Sequence, residues 1–313
     1  MLPWAGPDAG SARQWWHHGP VTTRTNQDRC PGVFRPWPAD DGAIVRLRIP
    51  GGRIDAGALL RLVDVADQYG DGSVLLTRRA NVQLRGIHTV AGAVPDGMVR
   101  ALETADLLPS VTHELVRNIV ASPLTGLLGG RLDLRPVVEA LDDALLADPL
   151  LADLGGRFLF VLDDGRGDVA WRDLDLGVVA VDENRVQIRA GSRQWGPVVE
   201  SRAASAVLAG LARRFQELRG DGPTAWWHVD ELPEAGAAVL RDPCPRDPAT
   251  RVESAPPAPG EHRGPDGRRI EVVAVADGLV RRALAEHLVS AGAADLVVTP
   301  WRSIVVPERR SHG

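Results

Sequence analysis

The stretch from Gly72 to Gly86 constrains the fold of this chain more than any other part of the sequence. A similar but weaker pattern occurs from Ala294 to Val306. The first stretch opens with an aliphatic, β-branched run and then places a polar residue at every second position, the period of a half-buried strand. It predicts one continuous strand whose polar face carries Thr77, Arg79, Asn81, Gln83 and Arg85.

This predicted polar row has two interpretations. If the strand is continuous, the row from Thr77 to Arg85 runs roughly 27 Å and faces a large, multiply charged ligand. A solvated strand face explains the same alternation without any ligand. Both interpretations stay open on this stretch alone.

The stretch closes a β-α-β unit, and the C-terminal part of the chain repeats that unit. In the first unit a strand from Ala43 to Ile49 precedes a helix that Asp55 caps and Gly70 ends. The second unit has a strand from Arg269 to Ala276, a helix from Leu279 to Ala291 and a closing strand from Leu296 to Val306. Such a repeat predicts two related halves around a shared cleft. Its alignment pairs Thr77 with Thr299, Arg79 with Trp301 and Val82 with Ile304.

Between the two units the pattern predicts a mixed domain. Strands are predicted at Arg157 to Leu162, Val169 to Leu176 and Asn184 to Ala190, followed by a helix from Ser201 to Leu218. The fold class is therefore α+β, with duplicated β-α-β units flanking a mixed α/β domain. The predicted boundaries are a leader at 1–28, a first half at 29–111, the mixed domain at 112–222, a Pro-rich linker at 223–265 and an incomplete second half at 266–313.

Composition excludes several classes of function. The chain has 36 basic residues, all of them arginine, and a formal net charge of −5. The absence of lysine excludes a P-loop and Schiff-base chemistry, and the net negative charge argues against nucleic acid as a partner. Because the sequence has neither a long apolar run nor an export signal, we expect no membrane partner and a cytoplasmic location.

Two cysteines, Cys30 and Cys244, limit the metal chemistry. They cannot supply the four thiolates of a conventional iron–sulfur cluster or of a Cys₄ zinc site. A non-haem iron with nitrogen ligands is an alternative, for which His88, His113 and His228 are the candidates. A surface side chain or a hydrogen-bonded core side chain is the better explanation for each of these histidines.

A set of motifs, taken together, resembles the precorrin-3B synthases, the cobalamin-pathway branch of the nitrite and sulfite reductase superfamily. The motifs are C-P-G at 30–32, I-P-G-G-R-I at 49–54, L-T-R-R-A-N-V-Q-L-R-G at 76–86, L-L-P-S at 107–110, V-R-N-I-V-A-S-P-L at 116–124 and T-P-W-R at 299–302. The resemblance implies two ferredoxin-like halves, each followed by a mixed α/β domain, around a tetrapyrrole beside a [4Fe-4S] cluster.

The resemblance also implies an activity. Its members are oxidoreductases that hydroxylate a precorrin with molecular oxygen, so the expected partners are a small-molecule tetrapyrrole substrate and an electron donor. In relatives the cluster cysteines follow the T-P-W-R strand in a further domain that this sequence does not contain. The alternative function is a non-catalytic tetrapyrrole-binding protein or a degenerate nitrite/sulfite reductase-like protein.

The site residues are carried over by motif. The tetrapyrrole arginines of the family match Arg79 and Arg117, and a basic position after the middle helix matches Arg157. Leu159 replaces a second basic residue, which favours a precorrin over sulfite or nitrite. A structural ion pair explains Arg117 equally well. No catalytic residue and no metal ligand is assigned. The predicted substrate-binding residues are Arg79, Asn81, Gln83, Arg85, Arg117, Asn118 and Arg157.

Overall fold

The computed structural model describes residues 28–222, 225–291 and 294–308. Within these ranges the chain forms three five-stranded sheets and six helices. The predicted leader lies outside the described residues except for its last position, and so does the end of the chain after residue 308. The described part is thus a mixed α/β structure.

The strands are, in chain order, β1 Trp37–Ala39, β2 Gly42–Leu47, β3 Arg53–Asp55, β4 Val74–Leu76, β5 Val82–Ile87, β6 Ile119–Ala121, β7 Phe160–Asp163, β8 Leu176–Ala180, β9 Arg185–Ala190, β10 Gln194–Glu200, β11 Gly260–Arg263, β12 Arg269–Ala274, β13 Leu279–Val280, β14 Asp295–Val298 and β15 Ser303–Pro307. The helices are α1 Ala56–Tyr69, α2 Asp96–Thr104, α3 Arg135–Ala147, α4 Ser201–Leu218, α5 Ala237–Leu240 and α6 Arg282–Ser290.

Two antiparallel sheets are built by the two β-α-β regions, and each borrows one strand from the other. The first sheet has the order β1-β2-β5-β4-β13, and the second has the order β11-β12-β15-β14-β3. The borrowed strands β13 and β3 pair with β4 and β14. Helices α1 and α6 pack on each other, and apolar residues of both regions share one core. The two regions therefore form one folded body.

Helix α1 begins and ends where the sequence predicts. The carboxylate of Asp55 accepts a hydrogen bond from the backbone N–H of Ala58 at 2.9 Å, and Gly70 follows the last helical turn. Its buried face includes Leu59, Leu62 and Val63, which have no exposed surface. The apolar stripe thus drives this helix onto the first sheet.

The predicted continuous strand from Gly72 to Gly86 is wrong, because the chain reverses at Thr77 and forms a hairpin of β4 and β5. The Thr77 hydroxyl accepts hydrogen bonds from the backbone N–H groups of Arg79 and Asn81. Ala80 adopts a left-handed φ of 54°. The strand predicted from Leu296 to Val306 reverses in the same way at Thr299. There is therefore no straight polar row of 27 Å.

The middle sheet has the order β10-β9-β8-β7-β6. Pairs β6–β7 and β7–β8 are parallel, whereas β8–β9 and β9–β10 are antiparallel. Helices α3 and α4 contribute to its core, and α4 confirms the helix predicted from Ser201 to Leu218. The strand predicted from Val169 to Leu176 is wrong, because β8 begins only at Leu176 after an irregular loop.

The Pro-rich segment predicted as a linker packs on the middle sheet in its first part. Val229, Leu232, Val239 and Leu240 are buried in the core of that sheet. Strand β11, near the end of the segment, pairs with β12 at the edge of the second sheet. The linker prediction is wrong for these residues, since they contribute to folded layers, and the domain boundaries stay a prediction. None of the described helices is long and apolar enough to cross a bilayer.

Candidate functional site

Five arginines converge where the first sheet meets the middle sheet. Arg46 lies on β2 and Arg48 follows it, Arg79 lies in the turn between β4 and β5, and Arg157 and Arg172 lie in the segments that precede β7 and β8. The turns and strand ends of two different sheets thus bring these side chains together. We call this set the arginine cluster: Arg46, Arg48, Arg79, Arg157 and Arg172.

Neutral oxygens accept the hydrogen bonds of the cluster. Arg79 Nη1 donates to the backbone oxygen of Arg157 at 2.7 Å, and Arg172 Nη2 donates to the backbone oxygen of Arg78. Arg48 Nη1 donates to the backbone oxygens of Pro31 at 2.6 Å and of Arg46 at 2.9 Å. These contacts position the guanidinium groups without neutralising them.

No carboxylate within the described ranges forms an ion pair with an arginine of the cluster. Burial lowers the pKa of Arg46 and Arg79, and it lowers the pKa of Arg48 and of Arg172 to about 10. All remain charged at neutral pH, at a cost in desolvation. The cluster is therefore positive and forms no direct ion pair, although the carboxylates of Glu114, Asp173 and Asp175 act on it from a longer distance.

Several N–H groups of the cluster have no hydrogen-bond partner although they are buried. They are Nε of Arg46, Nε and Nη2 of Arg48, and Nε of Arg172. Cys30 lies beside the cluster, but burial raises the pKa of its thiol, so it stays neutral at pH 7. Since buried polar groups are normally paired, these donors leave the cluster with unused hydrogen-bonding capacity.

The predicted residues Asn81 and Asn118 join the first sheet to the middle domain. Asn81 Oδ1 accepts a hydrogen bond from the backbone N–H of Ile49 at 2.9 Å, and its Nδ2 donates to Asn118 Oδ1 at 3.0 Å. Asn118 Nδ2 donates to the backbone oxygens of Leu115 and Gly156. These contacts use much of the hydrogen-bonding capacity of both amides. Their role as ligand contacts stays a prediction.

Three further predicted residues have partners of their own. Gln83 accepts a hydrogen bond from Arg46 Nη2 at 2.9 Å and so touches the cluster. Arg85 forms an exposed ion pair with Asp41 at 3.1 Å. The largely buried Arg117 binds both oxygens of Asp142, at 2.7 and 2.6 Å. Arg117 is thus in the ion pair that the sequence left as its alternative.

The sequence argument missed Arg46, Arg48 and Arg172. Arg46 and Arg48 stand two positions apart in R-L-R, a spacing that places both side chains on one face of a strand, and this signal could have found them. Arg172 lies in an irregular loop, where no period indicates the direction of a side chain.

Among the described residues, His88, His113 and His228 do not belong to a compact group of potential metal ligands. The buried His113 ring contacts Ser110, Thr112 and the backbone oxygen of Asp148. In the described ranges one group of potential metal ligands is compact, and it consists of Asp163, Asp164 and Asp168. Both oxygens of Asp163 already accept hydrogen bonds from two backbone N–H groups each, so this carboxylate shapes the loop after β7.

Comparison with known proteins finds a family similarity in the N-terminal part of the described chain. Residues 38–91 match the nitrite/sulfite reductase ferredoxin-like half domain. A ferredoxin–nitrite reductase of Leptolyngbya laminosa is 34% identical over 154 residues, which cover 47% of this chain and 30% of that protein. A precorrin-3B synthase of a Sinorhizobium species is 28% identical over 137 residues, which cover 44% and 28%. The aligned parts thus span about a third of these curated relatives or less.

One solved structure shows the same fold over most of the chain. The NirA protein of Mycobacterium tuberculosis superposes with a TM-score of 0.63 at 19% identity, covering 88% of this chain and 58% of its own. This chain therefore spans less than two thirds of that protein. Residues 38–91 are thus similar to the nitrite/sulfite reductase ferredoxin-like half domain, and most of the chain shares its fold with NirA.

Proposed function

We propose that this chain binds a carboxylated tetrapyrrole of the precorrin type at the arginine cluster. The observation that carries this proposal is a group of arginines that form no ion pair among the described residues, three of which keep buried N–H groups without a hydrogen-bond partner. A guanidinium group binds a carboxylate through two parallel hydrogen bonds. The acetate and propionate arms of a precorrin would supply several carboxylates on one rigid ring, as a cluster of this size requires.

The proposed frame for this ligand is a duplicated pair of ferredoxin-like half domains. The two antiparallel sheets have equivalent strand orders, and each borrows the equivalent strand from the other. The turns at Thr77 and Thr299 also share one hydrogen-bond pattern. Equivalent order and equivalent turns support an internal duplication, with the middle domain inserted between the copies.

The proposed reaction is the oxygen-dependent hydroxylation of the ring. One oxygen atom of O₂ enters a C–H bond and the other leaves as water, with two electrons and two protons from an electron donor. The relatives named above are a nitrite reductase and a precorrin-3B synthase, which supports an oxidoreductase. Leu159 is 4% exposed and apolar where the resemblance expects a second basic residue, which favours the precorrin over a small inorganic anion.

The residues of this chain do not fit a conventional [4Fe-4S] cluster. Such a cluster takes four thiolates, and the sequence has two cysteines. Cys30 is buried beside the arginine cluster, and Cys244 lies in a separate loop as a free thiol. We therefore derive no step of the reaction through a cluster. Tetrapyrrole binding without catalysis is the alternative that this mismatch favours.

An absorbance titration with sirohydrochlorin tests the proposed ligand. Arg79→Gln removes one charged donor from the cluster, and a hydrogen bond to a charged group is worth about 1.5–3 kcal/mol, so we expect the affinity to fall at least about tenfold. Arg85→Gln is the matched control, because Arg85 pairs with Asp41, and its affinity should stay within about twofold. Equal effects of the two variants, or no binding by the wild type, would contradict the proposal.

The reaction needs a separate measurement. The purified protein is incubated with a precorrin, an electron donor and oxygen, and the product is analysed by mass spectrometry. Gain of one oxygen atom that requires all three components supports the hydroxylation. Binding without any such product supports the non-catalytic alternative.

A further inference from the structure

Trp171 is a large side chain exposed beside the arginine cluster. It lies in the loop before β8, and 60% of its surface is open to solvent. Its indole Nε1 donates a hydrogen bond to the backbone oxygen of Asp168 at 2.8 Å. The guanidinium carbon of Arg172 lies 5.3 Å from the ring centroid. The indole is thus held in one orientation while most of its apolar surface faces water.

The exposed face of the indole is available to pack against a ligand. An exposed tryptophan forgoes the free energy that burial of its ring would contribute. Because the hydrogen bond and the Arg172 contact already fix the ring, a ligand that packs on it would cost little additional conformational entropy. Trp171 is therefore preorganised for stacking.

Trp171 lies at the rim of the arginine cluster. Its neighbour Arg172 belongs to the cluster and donates to the backbone oxygen of Arg78, the residue before Arg79. Burial and, after it, the charge of Arg79 lower the pKa of Arg172. A ligand whose carboxylates reach Arg79 and Arg172 would therefore place the rest of its body near the indole.

We propose that Trp171 stacks on the flat face of the ligand whose carboxylates the arginine cluster binds. This inference rests on the proposed function and narrows the ligand to a planar, multiply carboxylated ring. A linear polycarboxylate could bind the arginines, but it has no flat ring to stack on the indole. Trp171 would then be the residue that selects rings over chains.

The test compares Trp171→Ala with Trp37→Ala by titration with sirohydrochlorin and with a poly-glutamate peptide. Trp37 is a matched control, since it is also exposed and has the Arg29 guanidinium 5.3 Å from its ring centroid. It lies on the edge strand β1 and not in the loops that carry the cluster. Both side chains are exposed, so both variants should fold.

We expect Trp171→Ala to weaken sirohydrochlorin binding about tenfold, because the variant loses both the stacking contact and the burial of the indole ring. Trp171→Phe should keep most of the affinity, and Trp37→Ala should keep all of it. Poly-glutamate affinity should be the same in all these proteins. Unchanged sirohydrochlorin affinity in Trp171→Ala would overturn this inference alone. No binding of sirohydrochlorin by the wild type would overturn the proposed function as well.

Discussion

The turn at Pro50–Gly52 and its equivalent at Ala276–Gly278 have the same backbone but different surroundings. Gly51 and Asp277 have φ angles of 62° and 56°, and Gly52 and Gly278 both have 73°. The first turn lies against β6 and α3, and Gly51 is buried beneath Val138. Asp277 is exposed. The first turn thus has glycine where β6 and α3 cover it, and the second has a charged residue at an exposed position.

The hairpin turns after β4 and β14 show the same contrast. Ala80 and Arg302 occupy equivalent left-handed positions, with φ of 54° and 60°. Ala80 is 1% exposed, whereas Arg302 is exposed. Local hydrogen bonds therefore fix the turn, and the packing around it selects the side chain.

The comparison also explains why the candidate site is asymmetric. Arg79 and Trp301 are equivalent in the two turns, yet Arg79 reaches the arginine cluster, whereas Trp301 packs on an apolar cluster that includes Leu159 and Val161. Trp301 is therefore half-buried. The two equivalent turns thus carry different side chains, the cation of Arg79 in one and the aromatic ring of Trp301 in the other.

The largest expected loss of stability is at Gly52, and its equivalent position is Gly278. A Cβ on Gly52 would lie 2.1 Å from the backbone oxygen of Val298, so β14 must move. A Cβ on Gly278 would meet the flexible side chain of Arg302 instead. We expect Gly52→Ala to lower the free energy of unfolding by about 4 kcal/mol and Gly278→Ala by about 1–2 kcal/mol, measured in urea. Equal losses of unfolding free energy in the two variants would contradict the claim that the surroundings distinguish the two turns.

A swap at the preceding position should have the next largest effect. Gly51→Asp buries a carboxylate against Val138, which lies 3.1 Å from the added Cβ, and should cost about 3 kcal/mol. Asp277→Gly relieves a left-handed residue on an exposed turn and should stabilise the protein by about 0.5–1 kcal/mol. A loss of stability in Asp277→Gly as well would contradict this expectation and would show that the Asp277 side chain makes a stabilising contact.

The smallest of the three differences is expected at Asn81 and Ser303. Asn81→Ala leaves the buried N–H of Ile49 without its acceptor and should cost about 2–3 kcal/mol. Ser303→Ala removes one hydroxyl contact with Thr299 and should cost about 1 kcal/mol. Thermal or urea unfolding of both variants measures how much the contact between the first sheet and the middle domain contributes to stability.

The sequence predicted the repeated units because their signals are local. The helix cap at Asp55 and the two aligned turns, at Thr77 and at Thr299, each depend on residues a few positions apart. The structure has the same hydrogen bonds within both turns. The hairpin was missed because residues 77 to 81 continue the polar alternation of the strands on either side. The strand exchange was missed because β3 and β13 are too short to show a period.

Less of the candidate site was predictable. Arg79 and Arg157 were placed by resemblance, and the structure brings them together. Arg85 was grouped with Arg79 on the assumption of one straight strand, and the hairpin instead leaves it paired with Asp41. Arg172 and Trp171 come from a loop whose direction depends on packing against the first sheet. Contacts between distant segments are not encoded in a local period.

Hydrogen exchange with and without sirohydrochlorin tests the central claim most directly, because it reports where the ligand binds. The account predicts slower exchange in the turn at residues 78–81 and in the loop at residues 170–173, which bear Arg79 and Arg172. It predicts no change in the exposed turn at residues 276–278. Protection of the turn at 276–278 without protection of the turn at 78–81 would contradict it.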